Sequence, residues 1–301
     1  MGTIPKIALM RFFRWWTIAV CLGAGVAQAQ VDLKLEVPRT QFLPGERLEV
    51  VTRFSNFTGK PLTLGAEAGW LRFQVEDRAG VAVNRRSELP ETGTFELQPV
   101  ERGTLRFDIE PHFYLEQPGR YRVFAIARFP SGEEVTTPPA SFELVRGTRV
   151  AEQPYGFSSP EGAERRKYIL HQANYLEEVV LYVRCTDEAE ATTYQVTRLG
   201  KTVNFTQPKQ ILDVESRWHV LHQFGRTDFI YHVFAPDGSL VVRQTLMFED
   251  RRPQLRVNEQ GKVTVIGGVR RPTDDDVPGR ATPSVVAPAL FTPDDATKKK
   301  R

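Results

Sequence analysis

Cysteine is almost missing from this chain. There are two among 301 residues, Cys21 and Cys185. Cys21 lies in an N-terminal stretch with the three-part pattern of a secretory signal. Lys6, Arg11 and Arg14 precede an apolar run from Trp15 to Val26, and Ala27-Gln28-Ala29 offers small residues where a signal peptidase cuts. Residues 1–29 are therefore expected to be a cleaved signal peptide, and the mature chain to be exported. With Cys185 left alone, an intramolecular disulfide is excluded, and stability has to come from core burial over roughly 240 residues. Export without disulfides points to a bacterial periplasm, envelope or medium.

An excess of one charge is also lacking. The formal net charge is +3, from 40 basic and 37 acidic residues. Loss of Lys6, Arg11 and Arg14 leaves 37 of each, so nothing in the balance favours nucleic acid, which needs a clustered basic face. Beyond the leader no apolar run is long enough to span a membrane as a helix. Catalytic signatures are absent too. There is no Gly-x-Ser-x-Gly elbow, no His-Glu-x-x-His helix and no phosphate-cradling glycine loop, and Asp274 to Asp276 lack the remaining ligands of a calcium loop. No cofactor is expected.

What is present is strand patterning. Leu33, Leu35 and Val37 alternate with polar residues, as do Leu48 to Phe54, Leu71 to Val75 and Tyr121 to Phe129. Pro44-Gly45, Thr58-Gly59, Ala79-Gly80, Pro118-Gly119 and Ser131-Gly132 punctuate them. Short strands with such turns predict an antiparallel Ig-like sandwich over residues 30–146. Pro118-Gly119-Arg120-Tyr121 resembles the entry to a late strand of Ig-like domains, where a tyrosine hydroxyl ties down a corner. Phe54 to Leu64 and Phe73 to Gly80 resemble segments of the BsuPI-type bacterial proteinase-inhibitor domain, in a disulfide-free form. That resemblance implies the fold, and inhibition as an alternative activity through the loop Ser87 to Gly93.

Residues 147–166, rich in Pro and Gly, read as a linker. Residues 167–271 read as a second β-rich domain, built on Val179 to Val183, Thr193 to Leu199, Trp218 to Phe224, Phe229 to Phe234 and Leu240 to Phe248. Glu161 to Leu176 carries a helical pattern. Residues 272–301, with five prolines and mixed charge, read as a disordered tail. The order of parts resembles a group of exported bacterial β-rich proteins to which no activity is attached.

Three of the five histidines fall in Trp218 to His232. A two- or four-residue hairpin loop would set His222 opposite Tyr231 and Val220 opposite Val233, leaving His219 and His232 as a diagonal pair. An odd loop would shift that register by one. Two imidazoles without a third ligand make a poor zinc site, so no metal is expected. Cys185, beside Arg184 and a strand away from His171, is the one candidate nucleophile, and a buried filler is the simpler reading. These features favour a non-enzymatic exported protein that binds a protein or envelope component or serves as a structural part. The aromatics near loops, Trp70, Phe113, Tyr114 and Trp218, with Leu89 in the Ser87 loop, are the candidate contact residues. A hydrolase with an unfamiliar site is a further alternative, and it requires a convergent polar pocket.

Overall fold

The computed structural model describes residues 31–160, 162–277 and 292–293. The expected leader, and residues 278–291 and 294–301 of the expected tail, lie outside the described residues. The fold is all-β.

The first domain opens with β1 (Val31–Glu36), β2 (Gln41–Phe42), β3 (Glu49–Asn56), β4 (Leu62–Leu64) and β5 (Leu71–Glu76). It continues with β6 (Phe95–Leu97), β7 (Arg102–Asp108), β8 (Gly119–Arg128), β9 (Glu134–Thr136) and β10 (Ala140–Leu144). One sheet runs β1-β3-β7, and the facing sheet runs β2-β10-β8-β5, with β9 also on β8. All pairs are antiparallel except β2 with β10. The chain thus leaves the first sheet after β1 and joins the second at β2, and the two sheets form a sandwich. The inward residues of the alternating strands, among them Phe54, Phe73, Val75, Leu105 and Val123, make one core. The Tyr121 hydroxyl donates to the Gln117 carbonyl at 2.6 Å and its ring stacks on Phe142, so the expected tyrosine corner is formed.

In the second domain β11 (Thr148–Ser159), β12 (Gly162–Tyr175), β13 (Glu178–Asp187) and β14 (Thr193–Thr202) form an up-and-down sheet. A second such sheet comprises β15 (Lys209–Leu212), β16 (Trp218–Gln223), β17 (Asp228–Phe234) and β18 (Leu240–Met247). A hairpin of β19 (Gln254–Val257) and β20 (Val263–Ile266) follows, and β21 (Val269–Arg270) then adds to β18. The two sheets pack face to face around Tyr168, Leu170, Leu181, Val183, Trp218 and Phe234. Tyr155, Tyr168 and Trp218 stack in series across that core, with centroids 4.3 and 5.2 Å apart. The outer face of the second sheet, with Leu221, Phe229 and Tyr231, is covered by Leu255 and Val265 of the hairpin.

Three expectations are corrected here. Residues 148–159 are not a linker but edge strand β11, paired along its length with β12. Pro154 is tolerated there because only one side of an edge strand has to donate. The helical pattern over Glu161 to Leu176 is overturned by β12. Tyr168, Ile169 and Leu170 are buried in succession, because this strand has covered neighbours on both faces and loses its alternation. The tail does not begin at residue 272. Val277 exchanges backbone hydrogen bonds with Arg243, and Asp276 Oδ1 accepts from Thr245 and Thr273. Polar bonding, not apolar burial, holds this stretch, which composition does not register. Further on, β22 (Thr292–Pro293) pairs with β7 of the first domain.

The domains meet where Leu43 packs among Ala173, Val180, Tyr182 and Val196. Glu46 forms a parallel bridge to Val196, and Gly147 lies against His171. This contact sets the walls of the cleft described next.

Candidate functional site: a polar cleft between the domains

Beside the Leu43 contact lies a cleft of about 710 Å³, one wall from each domain. The first domain contributes Pro44-Gly45, Arg86, Glu110 and the stretch Leu115 to Pro118. The second contributes His171, Arg184 and the turn Glu190 to Tyr194.

Glu110 opens a short 3-10 turn after β7. Asp108 Oδ1 accepts the N–H groups of Leu48 and Glu110, which fixes one carboxylate next to the other. Burial first, and the Asp108 charge second, push the Glu110 carboxyl up to about 7, against the pull of Arg86. Arg86 itself pairs with Glu116 at 3.2 Å and lies over the Tyr114 ring.

Arg184 sits on β13, between Ile169 of β12 and Val196 of β14. Its Nε and Nη2 both donate to the Thr193 hydroxyl, at 2.9 and 2.6 Å. Glu190, the acid whose field reaches it most, is held instead by Arg149 at 2.7 Å and Lys167 at 3.0 Å. Burial therefore lowers the Arg184 pKa against the more distant pull of Glu190 and Asp187, and no ion pair to Arg184 forms among the described residues. Burial also pushes His171 down. The Gly147 backbone lies against its ring but outside good hydrogen-bond geometry, so both ring nitrogens stay buried without a partner among the described residues. The cleft continues past Gln117 and Pro118 into shallower hollows lined by Arg78, Arg120 and Leu176.

Of the expected contact residues, Tyr114 alone is exposed, and it lies beside this cleft through Arg86. Trp70, Phe113 and Trp218 are core residues, at 7%, 2% and 0% exposure. Trp70 is turned inward by its bond from Nε1 to Thr92 Oγ1, and Trp218 by its stack on Tyr168. Leu89 packs partly buried against the first core. Large rings near turns are drawn into a sandwich because their burial outweighs what a surface contact could return.

The histidines divide differently from the expected register. Phe224 N–H donates to the Asp228 carbonyl, which leaves a three-residue loop and pairs His219 with Val233, Val220 with His232 and His222 with Ile230. His222 and His232 thus share the inner face and stack at 5.5 Å, while His219 is alone on the outer face. There His219 Nε2 meets Asp213 Oδ2 at 3.0 Å and Nδ1 meets the Tyr231 hydroxyl at 2.6 Å. Sequence reasoning missed Tyr231 because its place beside His219 depends on the odd loop, and Asp213 because the β15–β16 turn brings it to His219. Its polar atoms face one another inside the protein, with His219 only 3% exposed, so it braces the sheet. Among the described residues no group of three or more His, Cys, Asp or Glu is placed to hold a metal.

Cys185 is 1% exposed, lies 3.1 Å from the Tyr155 hydroxyl and is pushed up in pKa by burial. It faces the core, directly opposite Tyr168, whereas His171 points to the other side of the sheet. The thiol and the imidazole cannot act together. Neither a protein-family model nor a curated protein sequence matches this chain.

Proposed function

We propose that this is an exported, non-enzymatic binding protein of the cell envelope whose ligand enters the cleft between its two sandwiches. The observation that carries the reading is Arg184. A half-buried cation facing a hollow, hydrogen-bonded among the described residues only to a neutral hydroxyl, is costly to the folded protein unless a ligand anion completes it. Sites of this kind collect at domain junctions, where two rigid bodies present polar groups to one hollow. The export half of the reading rests on the leader pattern of residues 1–29.

The test is retention from an envelope extract by the immobilised full chain and by a Thr193→Trp variant, whose indole would fill the cleft. Species held by the parent protein and lost from the variant are expected, with the thermal midpoint of the variant preserved. Identical retention by both proteins would place the ligand elsewhere and overturn the assignment of the cleft.

Inhibition of proteinases fits less well. The Ser87 to Gly93 loop is pinned by Arg86 N–H to the His112 carbonyl, by Ser87 to His112 Nδ1 and by Trp70 to Thr92, and Leu89 turns inward. An inhibitory loop has to present such a side chain outward. The hydrolase alternative calls for a convergent polar hollow, and the cleft is one. Glu110, with its carboxyl near neutral pKa, is the group that reading would use as general acid or base. Loss of an ester- or amide-cleaving activity in Glu110→Gln would favour it over simple binding.

A further inference from the structure

The two walls of the cleft lack opposite things. On the second domain, the Nε side of the Arg184 guanidinium is taken by Thr193, while the Nη1–Nη2 edge is left for a planar, two-oxygen acceptor. Glu190, the acid on this wall, is held by Arg149 and Lys167, and no ion pair to Arg184 forms among the described residues, so this guanidinium has no direct counter-ion. On the first domain, Glu110 is crowded by the charges of Asp108 and Glu116. Arg86, the nearest cation, is committed to Glu116. No ion pair to Glu110 forms among the described residues, so this carboxylate has no direct counter-ion. Both walls line one hollow of about 710 Å³, inside the range of roughly 300–1,000 Å³ usual for small-ligand sites.

We propose that the cleft takes a zwitterion bearing a free carboxylate and a free ammonium group, a short peptide with unblocked ends, with Arg184 holding the carboxylate and Glu110 the ammonium. This rests on the reading of the cleft as the binding site and names its ligand class. A simple anion would leave the Glu110 wall unanswered, and a simple cation would leave Arg184 as it is. A ligand with both charges neutralises each wall with the group it lacks. The polar lining supplies further donors and acceptors for peptide groups between the ends, from Thr192, Thr193 and Gln117.

Calorimetric titration of the full chain with unblocked trialanine, its N-acetylated form and its C-terminal amide tests the idea. The unblocked peptide should bind, and each blocked form should bind about tenfold more weakly or worse, the equivalent of about 1.4 kcal/mol. Arg184→Gln should no longer distinguish the amide from the acid, and Glu110→Gln should no longer distinguish the acetylated form. Arg184→Lys, which keeps the charge but not the fork, should retain part of the discrimination, and it serves if the glutamine variant does not fold. Equal affinity for the three peptides, or no binding of any, overturns the zwitterion proposal. If retention from the extract still depends on Thr193 in that event, the cleft remains the site and only its ligand class is wrong.

Discussion

Mild acid should cost the second sandwich much of its stability, through two imidazoles. His222 and His232 are 2% and 0% exposed, with ring planes 8° apart. None of their four ring nitrogens has a hydrogen-bond partner among the described residues. Arg243 lies directly opposite His232 on β18, so a proton on either ring would create a second buried cation beside the first. Burial, reinforced by Arg243, holds His222 down at about 3. Burial, then His222, then Arg243 hold His232 well below its ordinary value. In the unfolded chain both rings titrate near pH ~6.5. Below that value the unfolded state binds protons that the folded state refuses, so the stability contribution is intact above the unfolded pKa and drains away as pH falls. Between pH 7 and pH 5 the loss is about 2 kcal/mol per ring, or about 4 kcal/mol together, against a total stability on the order of 5–15 kcal/mol. Urea unfolding at the two pH values, followed by tryptophan emission, measures it, since Trp218 sits in the same core. His222→Phe and His232→Phe keep a flat ring in the stack and should each reduce the pH-dependent loss by about 2 kcal/mol. Unchanged pH dependence in both variants, or either of these two imidazoles seen by NMR to titrate above pH ~6 in the folded protein, would refute the reasoning.

Further outcomes follow from single contacts. Tyr121→Phe removes the bond to Gln117 and should lower the stability of the first sandwich by about 1 kcal/mol, read as a drop in thermal midpoint. Gly147→Ala would set a methyl 2.9 Å from His171 Cβ and 3.1 Å from Leu43 Cδ2, wedging the domains apart at a cost of about 1–3 kcal/mol. Limited proteolysis should then cut near residue 147 faster than in the parent. Gly156→Ala is the control, with nothing within 4 Å of the added atom. Cys185 should resist an aromatic disulfide reagent in the native protein and react fully in urea. Native labelling at the rate of a free thiol would contradict its burial.

The first sandwich was legible because its strands each have one buried face. Leu71, Phe73 and Val75 alternate with Arg72, Gln74 and Glu76 in sequence and in burial alike. The tyrosine corner was legible because it is a local device, with donor and acceptor four residues apart. The second sandwich was misread at its start. β11 alternates Ala151, Tyr155 and Phe157 inward, but Pro154 and Gly156 on its outer face give it the composition of a linker, and β12 is buried on both faces from Tyr168 to Leu170 and so loses its period of two. At the histidine hairpin the strands were right and the pairing was wrong by one residue. An odd loop from Gly225 to Thr227 does not differ in composition from an even one, yet it decides which imidazoles share a face.

The cleft was not legible, and the reason lies in its construction. Its walls come from Pro44-Gly45, Arg86, Glu110, Leu115 to Pro118, His171 and Arg184, and the turn after β13. Each piece taken alone is an ordinary polar loop or a strand residue. They converge only because Leu43 and Gly147 dock one sandwich on the other, a contact with no local signature. One residue did carry a signal. Arg184 follows Val179-Val180-Leu181-Tyr182-Val183 and precedes Cys185, in a strand whose middle is buried on both faces. A guanidinium in such a strand has to find an acid, a ligand or water. The strand neighbours offer only Ile169 and Val196, so the charge is turned outward into whatever the second body leaves open. An arginine out of place in an apolar strand points to the cleft where the aromatics do not, because aromatics are at home in the core and a guanidinium without a counter-ion is not.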